Sequence, residues 1–324
     1  MRPDKLVAVA LLTLLLAATA WGQNMQDAST APNPPATSSL PLSPEQQQLL
    51  QESLKARNYA GAEKLLVAEI EKKPQSAELL RFLASVFFLD GRYLNTAVAL
   101  KKAEKIAPLD NPSRFTLALS YIILDHRDWA RPELEALANV EPRTALYPYW
   151  LGRLDYDEMQ FTSAVAKLRK ALELDPAYMK TYDNLGLCYE ALGQYDEAIK
   201  TYQEAMRLNR LKPQPSPWPP VNLGTLFIKL GKLEEADAAL AESLRYDPRF
   251  PQARYELGLL REKQKRDDDA IAELKQAAEL NPSYAEPHYA LGRIHQRKGD
   301  TKNAEIAFET FHRLKRDNSK TRPQ

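Results

Sequence analysis

Cysteine is all but missing from this chain. The one residue, Cys188, leaves no partner for an intrachain disulfide, and none stands behind the N-terminus to carry a lipid. Glycine is scarce, at 11 of 324 residues. With abundant Ala, Leu, Glu and Lys, that favours helix over sheet. No glycine-rich phosphate loop, nucleophile elbow or paired-carboxylate motif occurs, so no cofactor and no catalytic residue is expected. A charge bias is also lacking: Lys and Arg number 44 against 43 Asp and Glu. A nucleic-acid partner is therefore not expected. The main apolar run, Leu6–Ala20, falls short of the ~20 residues that span a bilayer.

That run has another use. Arg2 and Lys5 precede it, and the small residues of "ATAWGQ" follow it. Charge, apolar stretch and small-residue site are the order of a secretory signal. Residues 1–22 are read as a leader cleaved after Ala20 or Gly22. The mature chain is then soluble, exported to the periplasm or beyond, and without stable membrane insertion. Residues 23–43 are rich in Pro, Ser and Thr and read as a disordered linker.

From Ser43 onward the chain repeats with a period of 34. One row reads Leu49, Leu83, Leu117, Leu151, Leu185 and, after a slip of four, Leu223, Leu257, Leu291. The next position reads Leu50, Ala84, Ala118, then Gly152, Gly186, Gly224, Gly258, Gly292. Thirteen residues after each leucine stands Ala62, Thr96, Ala130, Ala164, Ala198, Ala236, Ala270 or Ala304. Each unit carries two stretches of helical periodicity, parted in four units by Gly91, Gly193, Gly231 or Gly299. The small residues let two helix backbones approach, and prolines such as Pro176 and Pro248 end the second helix. One helix pair cannot bury its apolar face, so the pairs must stack.

The pattern resembles the tetratricopeptide repeat family over residues 43–316, best in "YDNLGLCYEALGQYDEAIKTYQEAMRLN". The resemblance implies an all-α, right-handed superhelical solenoid of about eight helix-turn-helix units, its groove lined by the first helices. Units one to five take residues 44–210, a Pro-rich connector 211–220, units six to eight 221–316, and a basic disordered tail 317–324. The connector is expected to be extended, with Trp218 packed across the junction. Some positions depart from the pattern. Pro132 stands two residues into a second helix, tolerable only in a first turn. Asp155 and Arg261 occupy an aromatic row.

Other candidate chemistry has plainer readings. Cys188 lies in a core-facing row with Val86, Leu154, Leu226, Leu260 and Ile294. His288 and His295 are spaced too widely for a metal pair at one turn, so no metal site is expected. Asp267, Asp268 and Asp269 lack the spacing of a calcium loop and read as a helix cap.

What remains is surface. The resemblance places Phe115, Leu119 and Ile122, then Tyr149, Arg153 and Tyr156, then Asp183, Leu187 and Glu190 along the groove. Gln47, Gln51 and Phe82 do not recreate the family's Lys and Asn clamp for a partner's C-terminal carboxylate. The expected function is a noncatalytic, exported scaffold or adaptor that binds a protein or peptide segment. The alternatives are an accessory subunit of an envelope or polysaccharide-export assembly, and an enzyme with an unrecognised site. On this reading, N-terminal sequencing of the exported chain finds Trp21 or Gln23 first; Met1 on the exported protein would refute the leader.

Overall fold

The computed structural model describes residues 37–320. The expected leader, the start of the linker at 23–36 and the last four residues lie outside them. Among the described residues there are sixteen α-helices and no strand. They are α1 (Pro44–Lys55), α2 (Tyr59–Lys72), α3 (Ala77–Leu89), α4 (Tyr93–Glu104), α5 (Asn111–Ile123), α6 (Arg127–Val140), α7 (Leu146–Asp157), α8 (Phe161–Leu174), α9 (Met179–Ala191), α10 (Tyr195–Arg210), α11 (Trp218–Leu230), α12 (Leu233–Tyr246), α13 (Pro251–Lys263), α14 (Asp267–Leu280), α15 (Glu286–Arg297) and α16 (Thr301–Lys320). Odd and even helices pair into hairpins, α1 to α6 giving three and α9 to α16 four, the all-α helix-turn-helix repeat that the 34-residue period predicts.

The chain forms two compact units, Met1–Met159 and Gln160–Gln324. In the first, each helix from α1 to α7 packs on the next, and the first helices α3 and α5 also touch. In the second, α8 to α16 do the same, and the first helices α9, α11, α13 and α15 form a continuous layer. The connector between α10 and α11 lies inside this second unit.

Local chemistry sets the helix ends. Ser43 caps α1 in a reciprocal box, accepting from the Gln46 amide at 3.3 Å while its own amide donates to Gln46 Oε1 at 2.9 Å. Asp110 caps α5 through the Ser113 amide at 2.8 Å. Inside every hairpin the residue eight places after the row leucine has positive φ. Four are Gly91, Gly193, Gly231 and Gly299; four are Arg57, Asp125, Met159 and Lys265. The Gln194 amide reaches back to the Tyr189 carbonyl at 2.8 Å, and the Arg266 amide to that of Arg261 at 2.9 Å. These are Schellman closures, and they form with or without glycine.

The small-residue rows work as spacing predicts. A Cβ on Gly186 would lie 2.4 Å from the Tyr202 ring, and one on Gly258 would lie 2.7 Å from Leu274. The Ala62 to Ala304 row is buried throughout. Seven of the eight row leucines are buried; Leu49 is 54% exposed, with no hairpin before it among the described residues.

Departures from the repeat find physical partners. Asp155 on α7 is fully buried and accepts from Arg131 Nη1 on α6 at 2.8 Å; Arg131 also donates to Glu158 at 2.9 Å. Arg261 on α13 donates to Asp237 on α12 at 2.8 Å. Both pairs join the row four residues after the leucine to the row fourteen after the previous leucine. Their polarities are opposite.

Several expectations need correction. Residues 37–43 are not a disordered spacer: Thr37–Ser39 is a 3-10 turn, and Thr37 and Leu40 are buried. Pro132 sits six residues into α6, because that helix starts at Arg127. Its missing N–H thus falls in the helix interior. Asp267 to Asp269 are not a cap; Arg266 holds that position with no side-chain cap bond, and the three acids fill the first turn. There they favour the helix dipole, with Asp267 bound to Arg297 at 2.8 Å and Asp268 to Lys298. The tail is helical to Lys320, since α16 simply continues.

The connector is shorter than expected. Trp218, Pro219 and Pro220 form the first turn of α11, where proline's missing N–H has no partner to lose. Asn209 ties the segment down, exchanging 2.8 Å bonds with the carbonyl and amide of Ser216. Trp218 is buried edge-on to Phe250, centroids 4.9 Å apart.

Two glycine substitutions separate the two roles. Gly186→Ala drives a methyl into a buried ring and is expected to cost roughly 1–3 kcal/mol. Gly193→Ala has open space around it and is expected to cost about 1–2 kcal/mol through its positive φ alone. Denaturant titration measures both. A Gly186→Ala chain as stable as wild type would show that Tyr202 can yield.

Candidate partner-binding site

The nine residues expected along the groove divide between the two units. In the first unit Phe115, Leu119 and Ile122 on α5, and Tyr149, Arg153 and Tyr156 on α7, are all buried. Phe115 packs edge-on to Tyr147 at 6.0 Å and to Trp150 at 6.5 Å, and Tyr149 packs on Trp150 at 5.6 Å. In the second unit Asp183 and Leu187 are buried. Asp183 accepts from Asn222 Nδ2 of α11 at 2.8 Å. Glu190 reaches the surface and takes Lys229 Nζ at 3.1 Å. Cys188 is buried, as its row predicts.

The same rows return in the eighth hairpin with a different outcome. Tyr289 stands two residues before the row leucine and Arg293 two after it, as Tyr149 and Arg153 do. Tyr149 and Arg153 are at most 1% exposed, whereas Tyr289 is 36% exposed and the Arg293 side chain 45%. Phe308 and Phe311 back the Tyr289 ring at 5.8 and 5.2 Å. The Arg293 guanidinium lies 5.7 Å from its centroid. Glu262 holds Arg293 at 2.8 Å and Arg297 at 2.9 Å. The result is an aromatic–arginine pair that is rigid behind and open in front, the chemistry enriched at protein contacts. Counting the rows through the last unit would have found it.

The first-helix layer of the second unit also holds a buried acid. Glu256 on α13 is buried, and burial raises its carboxyl from 4.5 to about 8, against the opposing pull of the Thr225 hydroxyl on α11. The acid is thus mostly neutral at neutral pH. It had no signature in the sequence beyond an acid among neutral residues in one row.

Elsewhere, burial lowers the pKa of His288, and His295 Nδ1 lies 3.1 Å from Asp300. No group of three or more His, Cys, Asp or Glu among the described residues could hold a metal ion. No described helix is long and apolar enough to cross a membrane.

Comparison with known proteins agrees with this architecture. Residues 124–323 match the family described as "Cilia and flagella-associated protein 70 C-terminal domain", and residues 49–111 match "Tetratricopeptide repeat". A Bacillus subtilis (strain 168) protein, "TPR repeat-containing protein YpiA", is 33% identical over 106 residues, which cover 33% of this chain and 24% of that one. Among solved structures, yeast Tom70 superposes with a TM-score of 0.65 at 16% identity, covering 96% of this chain and 71% of Tom70. The APC/C Cut9–Hcn1 hetero-tetramer gives 0.61 at 18% identity, covering 76% of this chain and 48% of the matched chain, about half its length. At such identities the structures speak to the fold.

The buried acid sets a pH dependence. A carboxyl with a raised folded pKa stabilises the fold when protonated, and that contribution fades as pH rises from about 4.5 to about 8. The slope approaches ~1.4 kcal/mol per pH unit within that window. Thermal unfolding is expected to show wild type losing stability across it relative to Glu256→Gln. Parallel curves for the two proteins would mean that Glu256 is ionised in the fold.

Proposed function

We propose, for a chain that belongs to the tetratricopeptide repeat family and over residues 124–323 to the family of the cilia and flagella-associated protein 70 C-terminal domain, that it is a noncatalytic scaffold binding another protein or peptide segment through its first-helix face. One observation carries this reading: the Tyr289–Arg293 pair is open in front and supported behind. Partly exposed aromatics and arginines backed by packed neighbours lose little conformational freedom on binding, so contact with them is realised as affinity. The charges around the pair are already matched by Glu262 and Asp267. A partner segment that adds apolar or hydrogen-bonding contact therefore suits the site better than a highly charged one.

The place of action is part of the proposal. The sequence of residues 1–22 supports export, with the mature chain working in the periplasm or outside the cell.

Affinity purification of the exported chain, with partners identified by mass, names the partner. Against that partner, Tyr289→Ala combined with Arg293→Ala is expected to weaken binding by roughly 30-fold, the effect of losing about 2 kcal/mol. Helix content by circular dichroism stays at the wild-type level. Unchanged affinity in the folded double variant would move the site off the eighth hairpin.

A further inference from the structure

The first hairpin carries an occupant on its first-helix face. Gln47 and Gln51 of α1 stand two residues before and two after Leu49. These are the rows of Tyr289 and Arg293 in the last hairpin. Gln47 Nε2 donates to the Leu40 carbonyl at 3.3 Å and to the Leu42 carbonyl at 3.2 Å. Gln51 Nε2 donates to Thr37 Oγ1 at 2.6 Å. From the C-cap of α2, Lys73 Nζ reaches the Pro41 carbonyl. Thr37 and Leu40 are buried although they precede the repeat array.

We propose that residues 37–42, "TSSLPL", are an intramolecular ligand that holds the first-helix face of the first hairpin closed to a partner until it is displaced. The recognition chemistry is general. Two side-chain amides and one ammonium donate to carbonyls and one hydroxyl, so most contacts read the backbone and one apolar side chain, Leu40, supplies the buried anchor. Donors aimed at backbone carbonyls, with one apolar anchor, are how a peptide segment is held in a preformed groove. Pro41 already restricts the segment, which lowers the entropy lost on seating it. Because the segment is tethered directly to α1 through Ser43, it acts at an effective concentration in the millimolar range. A competing partner segment must exceed that, and the face admits a short turn with outward carbonyls and a leucine-sized anchor.

The inference rests on the reading of the first-helix face as a binding surface, but its first test involves no partner and no residue of the eighth hairpin. Hydrogen exchange on the full chain follows the amides of Leu40 and Leu42, which donate to the Thr37 carbonyl at 3.2 Å and the Leu40 carbonyl at 2.8 Å. In wild type they are expected to exchange at least tenfold more slowly than in a free peptide of the same sequence. Gln47→Ala with Gln51→Ala is expected to abolish that protection while α3 to α16 keep theirs. Free-peptide rates in wild type, or protection that survives the double variant, would overturn the proposal. A second measurement adds a labelled TSSLPL peptide to the full chain carrying Leu40→Asp, which unseats the internal copy. Binding at least tenfold tighter than to wild type supports the inference; equal binding, or none to either protein, overturns it.

Discussion

Close approach of two helix backbones is the constraint on which the other features rest. In the fifth and seventh hairpins a glycine of the first helix lies under a side chain of the second with no room for a methyl group. At Gly258 the Ala270 carbonyl would also lie 3.4 Å from such a methyl. This spacing fixes where the row leucines point, and hence how one hairpin meets the next. A solenoid has few long-range contacts to correct a local error. The small-residue rows are therefore the part of the repeat that tolerates least.

Much of the fold was legible because its rows are periodic. The leucine, small-residue and alanine rows could be counted directly, and they placed eight hairpins. Helix ends were less legible where chemistry departed from the usual residue. Arg57, Asp125, Met159 and Lys265 take the same positive φ as glycine, because the Schellman closure imposes it regardless of side chain. Pro132 seemed to demand a first turn, yet packing of the rest of α6 outweighs one lost backbone bond. Composition alone suggested disorder through Ser43. Residues 37–42 are met by Gln47, Gln51 and Lys73, partners that the composition does not name.

The candidate site was legible in part. A row assignment says which way a side chain points, not what stands in front of it. Tyr149 and Tyr289 share a row and differ in exposure because their surroundings differ. Around Tyr289 the arginines are committed to neighbours, Arg293 to Glu262 and Arg297 to Glu262 and Asp267.

Two of the inter-hairpin ion pairs have a bearing on how such an array evolves. Arg131 meets Asp155, and Asp237 meets Arg261, in one geometry with opposite polarity. Were recombination to place the third hairpin directly before the seventh, two arginines would face each other; the sixth before the fourth would oppose two aspartates. The charges thus act as an address at these two junctions. Units that look interchangeable in their apolar rows are not interchangeable at those junctions.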